Sequence, residues 1–218
     1  MIKLIVFDFD GTLADTRTYL LDAIQAILKE FNYDFDYELL YTHLGDYTLA
    51  GTMSYLGASK KDLDIMIEKV LFRIEKKLEK VKPCPGVKDL AKIKQKKIIL
   101  SNNFDVYIRD FFKKNSISFF DEIHAEEKLQ PKFPRFRKII QKENLRPKEI
   151  LYIGDKVADA KLAKKIGCHH AIISHRASWS SLAEIKKAKP EFIITKLSDI
   201  QQVVNELNIS LPKKKTRS

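Results

Sequence analysis

The sequence predicts an α/β fold: a doubly wound parallel-sheet core with an inserted all-helical cap. Three observations carry this prediction. Apolar runs of strand length recur along the chain, helical periodicities separate them from residue 84 onward, and residues 16 to 81 show helical spacing alone. Strand alternating with helix is the pattern of a parallel sheet covered on both faces, which makes the core Rossmann-like. The predicted boundaries are 1–15 and 82–218 for the α/β core and 16–81 for the cap.

The elements follow in order. Ile2 to Phe9 is rich in Ile, Val and Phe and stops at Gly11, as a strand buried on both faces would. Leu20, Ala23, Ile24, Ile27, Leu28 and Phe31 then recur at helical spacing. So do Leu63, Ile67, Val70, Leu71, Ile74 and Leu78, and Ser59-x-x-Asp62 supplies a cap for that helix. The chain re-enters the core through Lys82-Pro83-Cys84-Pro85-Gly86, so crossings near Asp15 and Pro83 form a hinge. Further strands are expected at Lys97 to Leu100, Ile150 to Ile153, His170 to Ser174 and Phe192 to Thr195, with a weaker one at Phe120 to Ala125. Phe136, Ile139 and Ile140, and Leu162 and Ile166, mark helices between them.

Composition narrows the function classes. A hydrophobic fraction of 44% over 218 residues builds a core and excludes global disorder. Cys84 and Cys168 make neither a disulfide framework nor paired zinc ligands. The longest apolar run, Ile2 to Phe7, is far below the ~20 residues of a membrane span, and the N-terminus does not resemble a signal peptide. A cytoplasmic protein with no membrane partner is expected. Lys and Arg number 40 against 29 Asp and Glu, a formal charge of +11 that suits either a nucleic acid or an anionic substrate. Interspersed charge, as in Glu75-Lys76-Lys77-Leu78-Glu79-Lys80, reads as a solvated helix face, so nucleic acid is not the expected partner. Only Lys213-Lys214-Lys215-Thr216-Arg217 is a purely basic run, and it has no assigned role.

The residues that carry chemistry stand at the ends of predicted strands. Asp8-Phe9-Asp10-Gly11-Thr12-Leu13 follows the first, and two carboxylates two residues apart repel unless a cation or proton intervenes. Gly154-Asp155-Lys156-Val157-Ala158-Asp159 follows another, with Gly154 permitting a tight bend. Asp159 is either part of the acidic site or a first-turn acid favouring the helix dipole. Four carboxylates without a His or Cys cluster favour a hard cation such as Mg²⁺. Ser101-Asn102 ends a third strand, as hydrogen-bond donors to phosphate or as a helix N-cap. His169-His170, on opposite strand faces, makes no metal pair; Cys168 reads as core, and Trp179 has no assigned role.

Asp8-x-Asp10-Gly11-Thr12-Leu13, Ser101-Asn102 and Gly154-Asp155-x-x-x-Asp159 resemble, in order, the motifs of the haloacid dehalogenase superfamily. Pro85-Gly86-Val87 and the helical insert resemble its phosphoglycolate-phosphatase-like branch. The resemblance implies that Asp8 is the nucleophile and forms an aspartyl-phosphate, and that Asp10 is the general acid and then the base. It implies Mg²⁺ held by Asp8, the Asp10 carbonyl and Asp155, with Asp159 supporting, and phosphate bound through Thr12, Ser101 and Asn102. The family's lysine precedes a helix in a Lys-Pro-x-Pro sequence. Here ungapped alignment puts Gln130 at that position, and Lys132, favoured, or Lys128 takes its role.

The resulting expectation is a Mg²⁺-dependent phosphatase acting on a small phosphorylated metabolite. Two alternatives stand beside it: a phosphomutase or phosphonate-cleaving relative, and a basic nucleic-acid-associated protein with little catalysis. Cap residues Tyr41, His43, Asp46 and Tyr47 either face the site or pack within the helices. Oligomeric state is not readable from the sequence.

Overall fold

The computed structural model describes residues 1–46, 49–126 and 131–210, without the side chains of residues 45, 46, 126 and 210. Its strands are β1 (Leu4–Phe7), β2 (Lys96–Phe104), β3 (Glu122–Glu126), β4 (Ile150–Gly154), β5 (His169–Ile173) and β6 (Phe192–Ile194). Helices α1 (Arg17–Glu30), α2 (Tyr37–Asp46), α3 (Leu49–Tyr55) and α4 (Lys60–Lys77) lie between β1 and β2. Then come α5 (Asp105–Lys114), α6 (Lys132–Lys142), α7 (Val157–Ile166), α8 (Leu182–Ala188) and α9 (Ile200–Ser210). No helix among the described residues is long and apolar enough to cross a membrane.

The strands form one parallel sheet in the order β3-β2-β1-β4-β5-β6, the doubly wound Rossmann-like fold that the alternation predicts. Period-two alternation explains its two-sided burial. Leu4 and Val6 join Ile98, Phe136 and Tyr152 on one face, while Ile5 and Phe7 join Ile99, Phe111 and Ile153 on the other. Phe7 stands beside Ile99 of β2 and Ile153 of β4, so the residues after these three strands leave from one edge. Strand order reverses between β1 and β4, which opens a crevice beyond their carboxyl ends.

Two strands, β1 and β2, differ by several residues from the sequence reading, the others by one or two at their ends. β1 stops at Phe7, and Phe9 instead anchors the following turn, its ring edge-on to those of Tyr107, Phe111 and Phe112. β2 runs on through Phe104 past an irregularity in its pairing with β3, so Ser101 and Asn102 are strand residues. The N-cap reading of Ser101-Asn102 falls with it, because α5 begins only at Asp105.

From residue 16 to 81 the described residues form helices and no strand. Ile24, Ile27 and Leu28 of α1 share a buried cluster with Met66, Val70 and Ile74 of α4. Ser59 caps α4 by accepting the Asp62 N–H at 3.2 Å. The two chain crossings are tied to each other: the Asp15 N–H donates to the Lys82 carbonyl and the Cys84 N–H to that of Leu13, both at 2.9 Å.

Two stability measurements follow. Ile5 is fully buried in the central strand, so Ile5→Ala is expected to lower the free energy of unfolding in urea by about 2–5 kcal/mol through lost burial and a residual cavity. At the edge, hydrogen bonds from Lys142 and Lys96 outweigh burial and, with His124, bring the Glu122 carboxyl down to about 2. A carboxyl lowered on folding stabilises above its ordinary value of 4.5 and loses that contribution as pH falls toward about 2. Glu122→Gln is expected to flatten the acid limb of the stability profile across that interval.

Candidate active site

Asp8 leaves β1 with its N–H on the Ile153 carbonyl at 2.8 Å, which fixes it between the two strands at the switch. Its carboxylate is buried, with Oδ1 2.8 Å from Lys132 Nζ and accepting the Phe9 N–H at 2.7 Å. Oδ2 has no hydrogen-bond partner, and Lys156 Nζ lies 3.8 Å from it. Burial alone would raise this carboxyl, but Lys132 and Lys156 outweigh burial and hold it below the usual carboxylate range.

Asp10 stands in the turn rather than on the strand, so turn geometry aims it, not strand alternation. Thr16 Oγ1 donates to its Oδ1 at 2.8 Å and Asn103 Nδ2 at 3.0 Å. Burial raises its carboxyl above the usual range, and the negative charge of Asp8 adds to the rise. Gly11 has φ +75°, and a Cβ there would meet Asp155 Oδ2 at 2.4 Å and Trp179 Cδ1 at 2.8 Å. Only glycine lets the two acidic loops approach this closely.

Asp155 and Asp159 approach from β4 and α7. Asp155 is fully buried, its Oδ1 accepting from Thr12 Oγ1 at 3.2 Å and its Oδ2 from the Trp179 N–H at 2.6 Å. Thr12, expected at the substrate, is itself fully buried, and its hydroxyl is committed to Asp155. Asp159 Oδ1 accepts from Tyr152 Oη at 2.8 Å, and Oδ2 from the N–H groups of Asp155 and Lys156 at 3.2 and 3.1 Å. It therefore caps α7 while one of its oxygens lies within 4.8 Å of those of Asp8 and Asp155. Gly154 is needed for close approach rather than for a bend: a Cβ there would meet the Asp159 carboxylate at 2.4 Å.

Ser101 is buried, and its Oγ accepts the Asn103 N–H at 2.9 Å, leaving the hydroxyl proton to donate elsewhere. Arg135 braces this strand end, donating to the Ser101 carbonyl at 2.7 Å and to Asn102 Oδ1 at 2.6 Å. That contact fixes the Asn102 amide with its NH₂ free of Arg135. Lys132 opens α6 and also lies 3.4 Å from Asp159 Oδ1. Lys128 and Gln130 fall outside the described residues.

Several contacts carry no signal in the sequence. Trp179 presents its backbone N–H to Asp155, and the Lys156 ammonium sits 5.7 Å from its ring centroid. Tyr41 donates to the Trp179 carbonyl at 2.9 Å, and Arg17 to the Ser178 carbonyl at 2.6 Å, which latches the helical stretch to the core. His43 stacks on Tyr55 at 3.5 Å, a packing role. Tyr47 is not described, nor is the Asp46 side chain. His175 Nε2 donates to the Gly11 carbonyl at 2.9 Å, while His169 pairs with Glu191.

The acids suit a hard cation. Asp8, Asp155 and Asp159 each offer an oxygen within 4.8 Å of the others. Burial drives the Asp155 carboxyl well above its usual value; Lys156 opposes this, and Asp159 and Asp8 reinforce it. A divalent cation relieves that crowding, and the unpartnered Asp8 Oδ2 and an all-oxygen donor set fit Mg²⁺.

A cyanobacterial relative from Synechococcus elongatus, named phosphoglycolate phosphatase, is 25% identical over 94% of this chain and 99% of its own. A pyrophosphatase of Oceanobacillus iheyensis is 25% identical over 94% of this chain and 98% of its own. A solved structure from Haemophilus somnus, described as a predicted phosphoglycolate phosphatase, superposes with TM-score 0.78 at 21% identity, over 93% of this chain and 98% of that one; it establishes the shared fold. The family model of haloacid dehalogenase-like hydrolases matches residues 5–173, from β1 to the end of β5. The chain belongs to the haloacid dehalogenase-like hydrolase family and is an enzyme of that family.

Proposed function

We propose that this hydrolase is a Mg²⁺-dependent, cytoplasmic phosphatase that cleaves a small phosphorylated metabolite through an aspartyl-phosphate. The observation that carries the reading is Asp8: a buried carboxylate held below its usual range, with one oxygen on Lys132 and the other without a hydrogen bond, two residues before a carboxyl raised above its usual range. Residues 16–81 are the cap, and 1–15 with 82–218 the catalytic core. Buried free thiols at Cys84 and Cys168 suit the reducing compartment.

Asp8 attacks phosphorus, forming an O–P bond as the ester P–O bond breaks. Asp10, protonated beforehand, gives its proton to the departing oxygen and then, as carboxylate, takes one from the water that releases phosphate and regenerates Asp8. Thr16 and Asn103 hold Asp10 in place for both transfers. Lys132, the Ser101 hydroxyl and the Asn102 NH₂ bind the phosphoryl oxygens, and Arg135 orients that amide. Asp8, Asp155 and the Asp10 carbonyl, with Asp159 supporting them, would hold Mg²⁺, which would supply charge neutralisation between nucleophile and phosphoryl group. Thr12 serves by holding Asp155 rather than by touching substrate.

Hydrolysis of p-nitrophenyl phosphate is expected to require Mg²⁺ and to stop in a chelator; full turnover in the chelator overturns the reading. Asp8→Asn is expected to abolish turnover and trapping of a phosphoryl-enzyme. Asp10→Asn is expected to slow alkyl phosphates by about 10²–10⁴-fold and aryl phosphates much less, since phenolates leave without much protonation. Rapid-quench measurement is expected to show a longer-lived intermediate in that variant. Equal slowing of both ester classes with an unchanged intermediate lifetime removes Asp10 from this role.

A further inference from the structure

We infer that this site selects phosphate monoesters of uncharged, mainly aliphatic alcohols. The inference rests on the phosphatase reading and names its substrate class. A cavity beside Asp10 lies between the helical cap and the sheet edge, and its two sides differ sharply in chemistry. The roof is Leu20 of α1, Leu44 of α2, Leu49 of α3, and Leu71 and Ile74 of α4, so each cap helix contributes aliphatic side chains. Phe104 and Trp179 extend the apolar wall. The polar lining, Asp10, Asn102, Asn103 and Lys156, comes entirely from the core side.

Those polar groups are largely committed. Asn103 Nδ2 donates to Asp10, and Asn102 Oδ1 accepts from Arg135. Lys156 faces Asp8 Oδ2 and the indole ring, and Asp8, Asp155, Asp159 and Asp10 all draw on its charge. No cation among the described residues lines the roof. A leaving group carrying a carboxylate or a second phosphate would place that charge against leucine and isoleucine without a partner, whereas an alkyl group gains burial there. The relatives named for phosphoglycolate and pyrophosphate act, by those names, on compounds whose leaving groups are anionic.

The experiment compares kcat/KM, with Mg²⁺, for n-propyl phosphate, phosphoglycolate, pyrophosphate and p-nitrophenyl phosphate. Propyl phosphate is expected to exceed both anionic substrates by at least about 10-fold, the scale of apolar-pocket discrimination. Leu71→Lys, which sets an ammonium in the roof, is expected to raise phosphoglycolate turnover and lower that of propyl phosphate. Leu71 is half-buried, and a melting curve checks that the variant folds. Leu71→Ala, which only removes apolar contact, is expected to lower propyl phosphate turnover without raising phosphoglycolate. Hydrolysis of the aryl ester with phosphoglycolate or pyrophosphate preferred over propyl phosphate overturns this inference and leaves the phosphatase reading standing. Hydrolysis of none of the four, the aryl ester included, overturns the phosphatase reading itself.

Discussion

The arrangement depends on keeping four carboxylates together at one end of a hydrophobic sheet. Asp8, Asp10, Asp155 and Asp159 converge where strand order reverses, and their mutual repulsion opposes folding. Two half-buried lysines answer part of it: Lys132 Nζ is 2.8 Å from Asp8 and Lys156 Nζ 3.8 Å from its other oxygen. With all six groups ionised, two negative charges remain, the deficit that one divalent cation cancels. Two processes relieve the same excess, protonation of Asp10 and Asp155 and binding of a cation, and they compete for Asp155. The chemistry proposed for the site therefore comes from the electrostatics of building it.

Much of the surrounding structure reads as a response to that crowding. Gly11 and Gly154 omit the side chains that would collide with Asp155 and Asp159. Tyr152 and two backbone N–H groups hold the Asp159 carboxylate from behind while it faces the other acids. The Trp179 N–H does the same for Asp155, and Tyr41 and Arg17 hold the 178–179 backbone from α2 and α1. The helices α1 and α2 are thus latched to the loop that supports Asp155. Their position and that of the Asp155 carboxylate are mechanically joined through three hydrogen bonds.

What the sequence made legible was whatever is local and periodic. The buried strands, the cap helices and the acids at strand ends declare themselves through runs and spacing, and the fold they predict is the one observed. Strand ends were less legible: β2 continues through Ser101-Asn102-Asn103 because hydrogen bonds from Arg135, 34 residues on, brace a stretch that reads like a cap. Lys156 sits inside an acidic motif as an unremarked intervening residue, yet its function depends on Asp8, far upstream in the chain. Trp179 meets Asp155 24 residues away and Tyr41 138 residues away. Contacts of that span have no periodicity, and only the assembled sheet brings them within reach.

The two sides of the site also answer to different physical tolerances. Attack, proton transfer and charge neutralisation act over hydrogen-bond distances, so the floor must place its groups to within fractions of an ångström. Burial of a leaving group is non-directional and scales with apolar area, so a roof of leucines and isoleucines selects by polarity and size rather than by geometry. The polar side of such a site therefore tolerates little change, while its apolar side can change the alcohol it accepts without disturbing the acids. On the inference drawn above, the choice of alcohol falls to Leu20, Leu44, Leu49, Leu71 and Ile74, where one added charge changes the chemistry of the cavity without touching an acid below it.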